Sequence, residues 1–444
     1  MSSWPLPQEL SSWVLLLAST LDARLHGRFA ALVGGALFAK GRRTVTSWLR
    51  AAGITAGFKP CYYLLSVLAR RADELARLVL LRAALPVAAA RTGRLLFGLD
   101  DTPTKRYGPC VEGAGLHHNP TPGPAGQRLV YGHVWVTLAL LARHRRWGSI
   151  ALPLLARLYV RRKDVAKLPR WYGWAFRTKL ELAADLVRWL ARWLKWTGRA
   201  LWLACDGAYA KRPLLRAARE AGVVVVSRLR KDAALRTPPP PRRPGQRGRP
   251  AVYGPNRVSL AKRAGQKRGW RRAEVELYGE VTEKTYKTFM ATWRPAGGPI
   301  RVVLVRERDG WRAFFCTDPR AGVAEILTAA AERSSVEQGF KDLKEVWGAG
   351  QQQLRNLFAN VGAFHLSLWL ATLVEAWAWG RRAGRLVDRS ASPWDDPARR
   401  PSHADRRRAA QRECLREEYQ AATEGRGRVR LIRRLARRLL RMVA

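Results

Sequence analysis

Leu95-Leu96-Phe97-Gly98-Leu99-Asp100 and Leu201-Trp202-Leu203-Ala204-Cys205-Asp206 are two short apolar runs, each closed by an aspartate. Apolar runs without polar alternation read as strands buried on both faces, as in parallel sheets. A carboxylate closing such a strand is exposed where parallel strands deliver catalytic groups. A third acid, Glu337, lies in the helical stretch Arg333-Ser334-Ser335-Val336-Glu337-Gln338-Gly339-Phe340-Lys341-Asp342-Leu343-Lys344. Three hard oxygen donors converging from two strand ends and one helix suit Mg²⁺ or Mn²⁺, which keep open positions for phosphate oxygens. The residue types therefore point to metal-assisted phosphodiester chemistry. Taken singly, either aspartate reads as a helix cap or turn residue, and Arg333, Glu337 and Lys344 as a solvated helix face. The reading rests on all three acids together.

Outward from these runs, strands are expected at Leu95 to Asp100, Leu129 to Leu141 and Ile150 to Val160. A long amphipathic helix follows from about Trp174 to Trp196. Next come the strand ending at Asp206, a helix through Leu214 to Glu220 stopped by Gly222, and the β-branched run Val223 to Val226. Three strands, helix, strand, helix, strand is the order of an RNase H-like core, an α/β fold on a mixed sheet. The expected domains are a helical, DNA-binding N-terminal region (1–90), the first part of the core (91–230), a mainly β insertion (231–320), the glutamate-bearing helix and end of the core (321–380), and a basic helical C-terminal region (381–444). The insertion begins with the proline-rich 237–250, which sustains neither helix nor central strand. Thr44 to Gly53 resembles the helix before a tight turn in helix-turn-helix units, and equally an ordinary bundle helix. The basic amphipathic run Val429 to Val443 suits DNA, a partner subunit or an anionic surface alike.

The chain has 444 residues, 81 Lys and Arg against 34 Asp and Glu, and a formal net charge of +47, so its natural partner is a polyanion. The charge is spread along the whole length, which favours several surfaces gripping a long polymer. A merely charge-neutralising protein is disfavoured by 47% hydrophobic residues and 19 tryptophans, which build a sizeable core. Five scattered cysteines without Cys-x-x-Cys spacing indicate neither a disulfide framework nor a zinc site. Together with an N-terminus that lacks a basic leader, they fit a reducing cytoplasm. Val361 to Trp379, the most membrane-like stretch, contains His365 and Glu375 and reads as a buried helix, so no membrane role is expected. His117-His118 and His133 lack a third metal partner and read as surface or phosphate-contact groups.

Strand-borne Asp100, strand-borne Asp206, a β insertion and Arg333-x₃-Glu337-x₆-Lys344, in that order, resemble the DDE transposases of bacterial insertion sequences, specifically the group named for a Tyr-Arg-Glu-Lys signature. Ala330 stands where that signature has its tyrosine. The first acidic motif, Asp-x-Thr, matches Asp100-Asp101-Thr102 and favours Asp100, with Asp101 as the alternative. The resemblance covers roughly residues 90–380. It implies that Asp100, Asp206 and Glu337 hold two Mg²⁺ ions, with Mn²⁺ as a substitute, and that Arg333, Lys341 and Lys344 contact DNA. Two such ions about 4 Å apart activate a water or 3′-hydroxyl and stabilise the departing oxygen. The implied partners are double-stranded DNA, as terminal inverted repeats and as target, and a second copy of the chain. The implied reaction is cut-and-paste transposition through a hairpin, with Trp293 and Trp311 as candidates to hold a flipped base, although core packing is the better reading of each. Two other readings compete: an RNase H-like nuclease without strand transfer, and a DNA-binding protein without catalysis.

Overall fold

The computed structural model describes residues 4–88, 93–119, 126, 128–242, 244–390, 392–424, 429, 432, 433, 435 and 436. Most of the expected helix at Val429 to Val443 therefore lies outside the described residues.

Six helices open the chain: α1 (Gln8–Ala18), α2 (Ala23–Phe38), α3 (Val45–Ala51), α4 (Lys59–Arg70), α5 (Ala72–Val79) and, after a π-helical turn at Leu80–Ala84, α6 (Leu85–Ala88). Thr44 caps α3 by accepting from Ser47 N at 3.1 Å, and Gly53 turns the chain beyond it with φ +73°.

The sheet begins with β1 (Arg94–Lys105), β2 (Gly115–His118), β3 (Leu129–His144) and β4 (Gly148–Tyr159). β1 is antiparallel to β3, whose far edge carries β2 and then β4. Then come α7 (Arg162–Val165), α8 (Lys179–Leu194), β5 (Ala200–Cys205), α9 (Arg212–Ala221) and β6 (Val223–Leu229). β5 is parallel to β1 and β6 is parallel to β5. The spatial order β4–β3–β1–β5–β6 is thus a three-strand meander extended by two parallel strands. α8 starts later than periodicity suggests because Thr178 and Glu181 close a capping box there.

The β-rich stretch that follows continues this sheet. It comprises β7 (Leu235–Arg236), β8 (Arg257–Val258), α10 (Leu260–Gly265), β9 (Arg271–Leu277), β10 (Glu280–Trp293), β11 (Gly298–Glu307) and β12 (Gly310–Cys316). β12 pairs antiparallel with β6, from Leu229↔Ala313 to Val226↔Cys316, and β11, β10, β7 and β8 follow outward. After the sheet come α11 (Val323–Glu332), α12 (Ser334–Glu345), α13 (Leu357–Ala378), α14 (Ala383–Leu386) and α15 (His403–Glu424).

Alternation along the strands divides the core in two. Leu95, Phe97 and Leu99 of β1, with Leu201, Leu203 and Cys205 of β5, face the larger cluster, which contains α8, α13 and the N-terminal helices. Leu96, Trp202, Ala204 and Val226 face the smaller cluster under α11 and α12, with Ile326, Val336 and Phe340. Burying each of the large β1 side chains contributes about 1.5–3 kcal/mol. Gly98 is required on the α12 face, because a Cβ there would run into Val336 Cγ2.

α13 is long and apolar enough to cross a membrane but is enclosed by the fold. Its polar groups serve β4, where Pro153 cannot donate to the ladder and the register slips between Leu138 and Ala139. Thr372 donates to the Pro153 carbonyl at 2.5 Å, Trp369 to that of Leu154 at 2.9 Å, and Ala156 N donates to His365 Nε2 at 3.2 Å. Glu375 accepts two bonds from Arg406 Nη1 of α15, at 2.7 and 2.8 Å, and lies 2.5 Å from His403 Nδ1. Burial opposes its charge, and Arg406 and His403 outweigh it, holding the carboxyl down at about 2. Next along α15, buried Arg407 donates to the carbonyls of Ala36, Leu37 and Ala39 at the end of α2 and to Val346 at the end of α12, over 2.8–3.1 Å.

Candidate active site

Asp100 and Asp206 stand side by side at the same edge of the sheet. The parallel register of β1 and β5 ends at Leu99↔Cys205, and both aspartates come one residue later. Leu96, Gly98 and Asp100 alternate onto the α12 face, as do Trp202, Ala204 and Asp206. β1 does not stop at Asp100, as the apolar run suggests, but continues antiparallel to β3 as far as Lys105↔Gly132. The length of β3 supplies this partner, so Asp100 is held in a continuous ribbon.

Asp101 alternates to the opposite face. Tyr209 donates to its Oδ1 at 2.7 Å and Lys179 to its Oδ2 at 2.6 Å, so both oxygens bind the core side of the fold. Asp100 turns the other way and accepts from Asp101 N at 2.8 Å. The period-two alternation through Leu96, Gly98 and Asp100 is the sequence signal, not used above, that puts the two aspartates on opposite faces.

The glutamate-bearing region is not one helix. α11 and α12 break at Arg333, where Ser334 and Ser335 return their hydroxyls to the carbonyls of Ala331 and Glu332 at 2.8 and 2.7 Å. Serine hydroxyls compete in this way with the helical ladder. The break presents Arg333 to the sheet edge: Nη1 donates to Asp100 Oδ2 at 2.6 Å and Nη2 to Glu337 Oε1 at 2.8 Å. Burial opposes the charge of Arg333, but Asp100, Glu337 and Asp206 together hold it above the ordinary arginine value. One guanidinium thus lies in the field of all three acids.

Burial pushes the Asp100 carboxyl up to about 6; Asp101 and Asp206 act in the same direction, while Arg333 and the Asp101 N–H act against it. The Glu337 side chain is 61% exposed and open to a substrate, whereas that of Asp100 is 19% exposed. Lys341 is exposed on the same stripe of α12, and Lys344, one turn on, is half-buried, with burial lowering its pKa. Among the described residues no group of three or more His, Cys, Asp or Glu is drawn together as a metal cluster. Arg333 lies between Asp100 and Glu337, and the donor set around it, all carboxylate, has the hard-oxygen chemistry of a divalent cation site.

Of the three histidines expected at the surface, His118 is exposed, but His117 and His133 are not. His133 is fully buried, accepts at Nδ1 from Arg106 Nε at 3.1 Å, and lies 2.9 Å from the Glu112 carbonyl through Nε2. Burial holds it down at about 3, a neutral joint in the core. His117 is buried as well. Trp293 packs edge-on against Phe315 at 5.1 Å in the core, and Trp311 is half-buried beneath Lys231.

The model of the family described as DDE superfamily endonuclease matches residues 17–296. The chain belongs to this family. No curated protein matches it. DDE superfamily endonucleases act on DNA and generally depend on a divalent metal, which places this member among DNA-cutting enzymes of nuclease or transposase type. The matched segment holds Asp100 and Asp206 and ends before Glu337, so in this DDE endonuclease the helix glutamate rests on geometry and on its spacing from Arg333 and Lys344.

Proposed function

We propose that the protein is an insertion-sequence transposase that cleaves DNA at transposon ends and joins the freed ends to a target, with Asp100, Asp206 and Glu337 as its catalytic carboxylates. The observation that carries this reading is the convergence of the two strand aspartates on the face where Arg333 ties Asp100 to Glu337. The three carboxylates would hold divalent metal, two Mg²⁺ ions in the family pattern, which supplies an activated oxygen nucleophile and neutralises the departing one.

The chain's own groups position the strand. Arg333 carries a planar fork that exchanges carboxylate for phosphate oxygens without loss of hydrogen-bond geometry. Lys341 and Lys344 continue the same helix stripe and offer point charges to the flanking phosphates. Asp101, occupied by Lys179 and Tyr209, fixes the ribbon that presents Asp100. Assignment to the Tyr-Arg-Glu-Lys group is supported by the spacing of Arg333, Glu337 and Lys344, and action as a homodimer on paired ends follows from that assignment. A nuclease without strand transfer is the second reading, because the family description specifies cleavage alone.

A strand-transfer assay with purified protein, Mg²⁺, supercoiled target and a labelled duplex bearing the inverted repeat that flanks the gene tests the proposal. Joined product that disappears in Glu337→Gln and Asp206→Asn supports it. Nicking without joining selects the nuclease, and joining that survives either substitution removes that residue from the site.

A further inference from the structure

The sheet edge that carries Asp100 and Asp206 does not end at β5. β6 and β12 bring their own side chains to it. On β6, Val224 and Val226 face the α11 and α12 side, and Arg228 follows them by the same alternation. On β12, Phe314 and Cys316 face that side, and Arg312 precedes them. Phe314 registers with Arg228, so the two arginines emerge from paired strands at the same end. Asp100, Asp206, Arg228 and Arg312 therefore occupy one face of one edge, acids on β1 and β5 and bases on β6 and β12.

Between the bases lies a cleft of about 540 Å³, lined by Lys211, Arg228, Arg230, Lys231 and Arg312, with Asp232 as its one acid. Gly207, the residue after Asp206, forms part of its wall and sits so close to the Arg228 carbonyl that a Cβ would lie 3.1 Å from it. Asp232 is taken by Arg230 in a forked pair at 2.9 and 2.7 Å. Lys231 lies 5.1 Å above the Trp311 ring, which holds its ammonium at the rim. Arg312 approaches Asp309 only to 3.7 Å, and among the described residues Arg228 and Lys211 have no side-chain partner. Unspent cations in a concave site raise the local concentration of a polyanion.

We infer that this cleft is a phosphate-binding subsite for the DNA strand whose neighbouring phosphate lies at Asp100 and Asp206. The inference rests on the proposed function for the place of the scissile phosphate, and on the cleft's own charge for the rest. Two strand spacings separate β5 from β12, about 10 Å, on the order of two or three nucleotides of a DNA strand. A strand crossing the sheet edge would thus put one phosphate at the carboxylates and the second or third beyond it between Arg228 and Arg312.

The test is fluorescence anisotropy of the full-length protein with a labelled single-stranded hexathymidylate over a range of salt concentrations. Arg228→Gln with Arg312→Gln is expected to weaken binding at least tenfold and to lower the slope of log affinity against log salt by about 1.4, two contacts' worth for a single strand. The pair Arg228→Lys and Arg312→Lys retains the charge and is expected to restore most of that slope. Arg192→Gln with Lys195→Gln, exposed near the opposite end of β5, is expected to leave both quantities unchanged. An unchanged slope in the first pair, or an equal loss in the control pair, overturns the subsite. Nicking of a supercoiled plasmid that carries the flanking inverted repeats, by the wild-type protein with Mg²⁺, is read in parallel: an uncut plasmid together with the expected slope change would sink the catalytic reading and leave the cleft standing.

Discussion

Arg333 Nη1 stands 2.6 Å from Asp100 Oδ2, and this single ion pair joins the start of the glutamate helix to the first strand of the sheet. With its second nitrogen on Glu337, Arg333 orders two carboxylates that come from parts of the chain more than two hundred residues apart. It also makes the site's arrangement depend on which of the paired aspartates faces it.

Asp100 and Asp101 are expected to separate cleanly on substitution. Asp100→Asn should lower DNA cleavage by on the order of 10³-fold or more, as loss of a transition-state ligand does. Asp101→Asn should keep cleavage within roughly tenfold of wild type and instead cost about 1–3 kcal/mol of stability, because Lys179 and Tyr209 lose a charged acceptor at a half-buried position. Cleavage rates and thermal melts of the two variants decide it; the reverse pattern would transfer the catalytic role to Asp101.

The raised carboxyl of Asp100 has a signature in stability. Its folded value of about 6 exceeds the ordinary 3.8, so the native state holds the proton more tightly than the unfolded chain does. That contribution is complete below pH about 4 and is lost as pH rises through about 6, on the order of 3 kcal/mol in all. In metal-free buffer, the Tm of Asp100→Asn minus that of wild type should therefore be roughly 3 °C more positive at pH 7.5 than at pH 4.5. A gap that stays constant with pH would show that Asp100 titrates normally.

Glu375→Gln is expected to destabilise by about 3–5 kcal/mol, since Arg406 would keep a buried charge without its counterion. The check is chemical denaturation followed by tryptophan fluorescence. Substitution of the far more exposed Glu220, which pairs with Arg216 on α9, should change little in the same experiment.

Binding to DNA of arbitrary sequence should fall by about 10³-fold or more between 50 and 200 mM salt, the loss that six to ten released phosphate contacts produce. The formal charge of +47 motivates this expectation. A nearly flat titration over that range would mean that few of the cations touch the polymer.

The sequence disclosed the strand order well, because the strands near the carboxylates are buried on both faces and so lack polar interruptions. The placement of Asp100 and Asp206 at neighbouring strand ends was legible for the same reason: a charged residue after five apolar ones stands out. The break at Arg333 was less visible, since helical periodicity passes through Ser334-Ser335 without a glycine or proline to mark it. The burial of His133 was hidden because its partners, Arg106 and the Glu112 carbonyl, come from other segments. The basic side of the sheet edge was also missed, although the alternation Val224, Val226, Arg228 would have placed Arg228 beside Asp206 once the two strands were paired.

Arg407 spans the carbonyl ends of α2 and α12. Mechanically this makes the N-terminal helices and the helix of Glu337 two arms of one lever, pinned at a side chain that has no slack because nearly all of its donors are spent on backbone. Any tilt of α2 relative to the end of α12 would strain these hydrogen bonds together, because they share one guanidinium. That joint lies apart from both the carboxylates and the basic cleft, so it fastens the two helix ends without occupying either.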